Sequence, residues 1–141
     1  MLKCILEKAG YKVGLIGTIQ NMIGDEIIAA HNTTPNAYEL NSLFALMKAK
    51  GCTHVIMEVS SHALDQCRVY RLNFDAAMFT NLTQDHLDYH KTMENYLAAK
   101  KKLFKMCKTA IINKDDSYAD EIMKGLDCRV VTYSTGDNST Y

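Results

Sequence analysis

Apolar positions along this chain recur by turns at helical and at strand spacing, and the alternation predicts its elements. Leu2, Ile5 and Leu6 make a short helical stripe that stops at Gly10, a residue suited to the position just past a helix end. Val13 to Ile19 is a glycine-punctuated apolar run and predicts a buried strand. Residues 19–30 alternate around Gly24-Asp25, which predicts a small hairpin. Thr34-Pro35 predicts a helix start, with Thr34 as N-cap and Pro35 in the first helical position. Its apolar face is Leu40, Leu43, Phe44 and Met47, and Gly51 closes it.

Thr53–Val59 reads as a strand followed by a polar turn, Ser60-Ser61-His62. Ala76–Phe79 is a second short strand, followed by the polar stretch Thr80–Asp85. A helix from about Met93 to Cys107 leads into a strand, Ala110–Ile112, and a helix from about Ser117 to Leu126 into another, Arg129–Tyr133. Helices alternating with short β-rich strands predict an α/β fold with a mostly parallel sheet and no internal domain boundary. Ligands of such sheets gather beyond the carboxyl ends of the strands. Polar clusters follow Ile19, Val59 and Phe79, which places them together on that edge.

Composition narrows the classes. A chain of 141 residues with 48% hydrophobic and 23% charged residues is ordinary globular protein. The formal net charge of zero argues against nucleic acid or an acidic membrane surface as partner. No apolar run approaches the roughly 20 residues of a membrane helix, and the N-terminus has no signal-peptide pattern. Five scattered cysteines without a CxxC pair suit reduced thiols better than a zinc knuckle or disulfide framework.

Chemistry concentrates in five places. Glu58 ends an apolar strand, where a carboxylate either holds a divalent cation or faces solvent. Asn81–His90 packs five potential ligands into ten residues, the density of a metal site; its side chains could equally cap neighbouring backbone. Asn32-Thr33-Thr34 precedes a helix, where free N–H groups favour anions. Arg68 could pair with a phosphate or carboxylate, or be a solvated surface residue. Lys100 falls in the middle of the stripe Met93, Tyr96, Leu97, Leu103 and Phe104, although lysine is rarely buried without a partner. Either its stem reaches the helix edge or it has a functional partner. No GxxxxGK[ST] phosphate loop occurs.

These segments resemble a known family. Asn32–Leu40 (NTTPNAYEL), His54–Arg68 (HVIMEVSSHALDQCR), Phe79–His90 (FTNLTQDHLDYH) and Met93–Phe104 (MENYLAAKKKLF) resemble the central ATPase domain of the Mur ligases, in register from about residue 5 to residue 118. Asn113-Lys114-Asp115-Asp116 looks like a later family segment. The EVSSHAL and TNLxxDHLDYH forms point to the MurE branch, the UDP-N-acetylmuramoyl-tripeptide synthetases.

The resemblance implies a three-layer α/β fold of the phosphate-loop NTPase kind and ATP-dependent amide formation in cytoplasmic peptidoglycan synthesis. A carboxylate of UDP-N-acetylmuramoyl-dipeptide becomes an acyl phosphate, and the amine of meso-diaminopimelate or L-lysine attacks it. It further implies that Asn32, Thr33, Thr34, Ser60, Gln66 and Arg68 contact the UDP-muramoyl peptide. Glu58 and His86 would be Mg2+ ligands, and Lys100 the lysine that becomes a carbamate and completes the metal site.

Against the family pattern, residues 1–141 are expected to be a partial central domain. The phosphate loop would lie upstream of Met1, and the N-terminal UDP-binding and C-terminal amino-acid-binding domains would be absent. Such a fragment is expected to be inactive alone and to self-associate. Alternatives are a sibling ligase of the cyanophycin synthetase type, a non-catalytic binding module, and a metallohydrolase, though no histidine follows His90 to complete a hydrolase site.

Overall fold

The apolar run after Lys12 is drawn into the middle of a sheet, and that placement organises the first half of the chain. In the computed structural model, which describes residues 1–136, α1 (Leu2–Lys8) leads into β1 (Val13–Ile16). The hairpin β2 (Asn21–Ile23) and β3 (Glu26–Ile28) follows, turning at Gly24-Asp25. Then come α2 (Ala37–Ala49), β4 (His54–Met57) and α3 (Ser61–Asp65). The sheet order is β3-β2-β1-β4. β1 pairs antiparallel with β2 and parallel with β4, Val13 lying opposite His54 and Ile16 opposite Met57. Helix α2 buries Leu40 and Met47. A Cβ at Gly14 would lie 2.4 Å from the Met47 sulfur, so α2 can approach β1 this closely only because position 14 has no side chain.

A second compact unit begins at Arg71. Its strands are β5 (Phe74–Phe79), β6 (Cys107–Asn113) and β7 (Arg129–Tyr133), all parallel, in the order β5-β6-β7. Between them lie α4 (Leu87–His90), α5 (Met93–Lys101), a 3-10 turn at Lys102–Met106, and α6 (Ala119–Met123). The core of this unit joins Phe79, Tyr96, Phe104, Ile112 and Ile122, with Ala77, Ala110 and Ala119 making room between them. Burying each large apolar side chain contributes roughly 1.5–3 kcal/mol. The fold class is α/β with parallel pairing except at the hairpin, as the pattern predicts.

Several element boundaries differ from the sequence reading, each for a local reason. Helix α2 starts at Ala37, and its N-cap is Asn36, whose side chain accepts from the Glu39 N–H at 3.0 Å. Thr34 does not cap because its hydroxyl is engaged elsewhere, donating to the Glu58 carbonyl and accepting from the Ser60 N–H, both at 2.9 Å. Ser60-Ser61-His62 is not a plain turn: Ser60 caps α3, its Oγ accepting from the Ala63 N–H. The helix expected from Met93 to Cys107 is α helix only to Lys101. Cys107 instead pairs with Phe74 as the first residue of β6, so the chain tightens into a 3-10 turn to reach it. The Asp/His-rich run Asn81–His90 contains α4, flanked by His86 and Lys91 at positive φ.

Candidate active site

Because β1 and β4 are parallel neighbours, the segments after them leave the sheet at the same edge. That brings Gly17-Thr18 against Glu58, forty residues later. The Glu58 N–H donates to the Ile16 carbonyl at 2.9 Å, extending the ladder by one bond. Its carboxylate Oε2 accepts from both the backbone N–H of Thr18, at 3.1 Å, and the Thr18 hydroxyl. A Cβ at Gly17 would lie 3.3 Å from Glu58 Oε1, so the bare backbone there makes room for the second oxygen. Oε1 accepts no hydrogen bond among the described residues.

The residues expected to hold the muramoyl peptide form one network in this unit. The Thr18 and Thr33 hydroxyls lie 3.1 Å apart. Buried Thr34 ties the end of β4 to the start of α3. The Arg68 guanidinium donates to the Thr34 carbonyl at 2.9 Å and, through Nε and Nη2, to the Gln66 amide oxygen. All these acceptors are neutral, so the charge of Arg68 meets no carboxylate among the described residues and stays available to an anion. Asn32 is exposed and borders a cavity of about 310 Å³ between the hairpin and α2, lined also by Ile28, Pro35, Tyr38 and Leu43. Asn21 borders it too, 3% exposed, and its Oδ1 has no hydrogen-bond partner among the described residues.

The second unit carries the lysine. Lys100 is half-buried, its Nζ 5.4 Å from the centre of the Tyr96 ring. Burial lowers its basicity below the ordinary value, while Asp116 and Asp85 pull it back up. Tyr96 itself is buried, and burial followed by the charge of Asp85 raises its hydroxyl pKa. The His90 ring stacks on Tyr96 with centroids 5.1 Å apart, and the His86 ring meets it edge-on at 5.8 Å. His86 adopts a φ of 56°, a left-handed conformation uncommon for a side-chain-bearing residue. Its N–H donates to Asp85 Oδ1 at 2.7 Å.

After β6, the Asn113 side chain donates to the Thr80 carbonyl and Asp116 accepts from the N–H groups of Leu82 and Tyr118. Asp115 accepts from Ser134 and Thr135 after β7, and those bonds lower its pKa. The Asn-x-Asp-Asp segment thus splices together the loops at the carboxyl ends of all three strands.

The reading of Asn81–His90 as a metal cluster is corrected. Among the described residues no group of three or more His, Cys, Asp or Glu side chains is placed to hold a metal. Asp85 binds backbone, and His90 is buried on Tyr96. Of the side chains expected for Mg2+, Glu58 in the first unit offers an open carboxylate oxygen of the kind a hard cation takes, and His86 in the second offers an imidazole, a softer donor. Thr18 escaped the sequence reading, and Tyr96 entered it only as part of an apolar stripe. Only Tyr96 carried a usable signal there, four residues before Lys100 on the same helix face.

The profile of the Mur ligase middle domain matches residues 1–141. The chain is 52% identical over 138 residues to the UDP-N-acetylmuramoyl-L-alanyl-D-glutamate–2,6-diaminopimelate ligase of Caldanaerobacter subterraneus, covering 97% of this chain and 29% of that protein. It is 51% identical to the ligase of the same name from Clostridium botulinum, with 98% and 29% covered. A solved structure of a ligase of that name superposes with a TM-score of 0.85 at 30% identity, over 99% of this chain and 30% of the other. The chain therefore spans about three-tenths of the length of these relatives. Matched from its first residue to its last, it belongs to the Mur ligase middle domain family.

Proposed function

We propose that this chain serves, as the middle domain, in an ATP-dependent ligase of peptidoglycan synthesis. The reaction joins 2,6-diaminopimelate to the glutamyl carboxylate of UDP-N-acetylmuramoyl-L-alanyl-D-glutamate. The observation that carries the reading is identity at half the positions, across nearly the whole chain, with proteins named for that activity. L-Lysine is the competing amino acid. The names of the relatives favour diaminopimelate over it.

The residues divide the work in a way that suits acyl phosphate chemistry. The substrate carboxylate attacks the terminal phosphorus of ATP, ADP leaves, and the incoming amine then displaces phosphate from the acyl carbon. Arg68, with its unneutralised charge, and the Thr33, Ser60 and Asn32 polar groups hold the anionic muramoyl peptide. Thr34 and Gln66 act mainly through backbone and through Arg68. Glu58, fixed by Thr18, and His86, set by its strained backbone, would hold Mg2+, which when bound neutralises charge on the transferring phosphoryl group. Lowered basicity leaves Lys100 more of the neutral amine that takes up carbon dioxide. The resulting carbamate replaces a cation by an anion, as a Mg2+ ligand requires. A cytoplasmic setting follows from the substrates. No described helix is long and apolar enough to cross a membrane.

The test is a chimera in which this sequence replaces the corresponding segment of the Caldanaerobacter ligase. ATP-dependent ligation of diaminopimelate, abolished by Glu58→Ala, supports the reading. A folded chimera that binds UDP-muramoyl dipeptide yet never releases phosphate supports a binding module instead, and the proposal then fails.

A further inference from the structure

At the opposite ends of its strands from the candidate site, the second unit brings two thiols together. Cys107 opens β6 and Cys128 immediately precedes β7. With Thr109 opposite Arg129 in the parallel register, both cysteines stand at the starts of neighbouring strands. Their Sγ atoms are 4.0 Å apart, and the Cys107 thiol also lies 3.5 Å from the Phe104 carbonyl. Both are free and half-buried. They line a cavity of about 560 Å³ whose wall also carries Lys105, Lys108, Arg129 and Asp127. Lys108 is paired with Asp75. Lys105 and Arg129 form no ion pair among the described residues, so the cavity favours a small anion.

We propose that Cys107 and Cys128 are a redox-reactive pair, closed into an intramolecular disulfide by an anionic low-molecular-weight disulfide that enters this cavity. The thiolate of one cysteine attacks the incoming S–S bond, forming a mixed disulfide and releasing the first small thiol. The second cysteine attacks the protein-side sulfur and releases the other. Two protein S–H bonds and one small disulfide become one protein S–S bond and two small thiols, with both protons carried off on the leaving sulfurs. The sulfurs must approach from 4.0 Å to about 2.05 Å. Burial, and then the nearness of Cys128, pushes the Cys107 thiol up to about 11. A thiol raised this far is mostly protonated near neutral pH, so exchange through Cys107 is slow there and quickens as pH rises.

The remaining cysteines serve as internal controls. Cys4 and Cys67 are exposed and Cys52 lies in the first unit. The reduced 141-residue chain is exposed to glutathione disulfide, acid-quenched, alkylated with N-ethylmaleimide and digested with trypsin without reductant. Cleavage after Lys105, Lys108, Lys124 and Arg129 places the two cysteines in separate peptides, 106–108 and 125–129. The expected result is these peptides joined, lighter than their sum by two hydrogens. The oxidised protein melts higher than the reduced one, and dithiothreitol reverses both effects. A Cys128→Ser chain, checked for folding by circular dichroism, keeps Cys107 as a glutathione adduct and shows no rise in Tm. The proposal is overturned if Cys107 and Cys128 remain fully alkylated while Cys4 and Cys67 are modified. It is overturned equally if both carry glutathione without a cross-link, or if Cys107 joins a different cysteine.

Discussion

Lys100 places its ammonium 5.4 Å from the centre of the Tyr96 ring, one helical turn earlier on α5. The ring is buried in the core of the second unit, and Asp116 and Asp85 are the two charges that act on the lysine. The aromatic face and the carboxylates partly offset the loss of hydration, but burial is the larger effect and the net shift is downward.

The sign of the stability effect follows. A lysine whose folded pKa lies below its ordinary 10.5 releases its proton more readily in the folded state than in the unfolded one. Folding is therefore penalised while the group is charged in both states. The penalty fades as pH rises from the depressed value towards 10.5. Lys100→Met should raise the melting temperature at neutral pH, and the advantage should shrink in alkaline buffer. A pH series of thermal melts on both chains measures this; a gain that grows with pH would contradict it. In the chimeric ligase Lys100→Ala should lose most activity. Acetate or formate should restore part of it and bicarbonate none.

Thr18 governs the aim of Glu58. Thr18→Val removes the hydroxyl donor to Oε2 while the backbone donor remains. Loss of such a supporting bond costs about 10- to 100-fold in metal affinity or activity, and Thr18→Ser should recover most of it. Gly17→Ala puts a methyl group 3.3 Å from Oε1 and should raise the Mg2+ requirement of the chimera. Magnesium titrations of phosphate release separate these effects from a loss of fold, which would lower the rate at every metal concentration.

Thr34 makes a structural prediction independent of activity. Its side chain is 1% exposed and satisfies both the Ser60 N–H and the Glu58 carbonyl. Thr34→Val keeps the volume but leaves those part-buried groups without that partner, at a cost of about 1 kcal/mol. Urea unfolding of the two chains reads the difference directly.

Much of this was legible in the sequence, and what was not has a common cause. Strand β7 runs from Arg129 to Tyr133 as its apolar pattern predicts, and the hairpin turns at Gly24-Asp25. These features are local. The start of α2 moved because the Thr34 hydroxyl is claimed by residues 24 and 26 positions later. Helix α5 ended early because Cys107 belongs to a strand paired with Phe74. Glu58, Ser60 and Arg68 stood out as polar residues beside an apolar strand. Thr18 did not, because only the parallel pairing of β1 with β4 brings it to Glu58. The dense Asp/His run misled for the converse reason: nearness in sequence does not aim side chains at one point, and here one histidine turned inward to stack on Tyr96.

The sheet edges carry the last prediction. Among the described residues β4 in the first sheet has a strand partner, β1, on one side only, and β5 is likewise terminal in the second sheet. β5 carries one exposed charge, Asp75, and β4 is only four residues long, but neither strand contains a proline and each shows an exposed apolar residue, Val55 on β4 and Met78 on β5. Unpaired N–H and C=O groups along such strands are templates for a strand of another molecule. The 141-residue chain should therefore self-associate as its concentration rises. A lysine on an edge strand disfavours docking by its charge and hydration, so Val55→Lys and Met78→Lys should each lower the apparent mass without changing the far-ultraviolet spectrum. Light scattering over a range of concentrations provides the measurement. A wild-type chain that stays monomeric throughout, and unfolds cooperatively at an ordinary temperature, would mean that these edges are already covered.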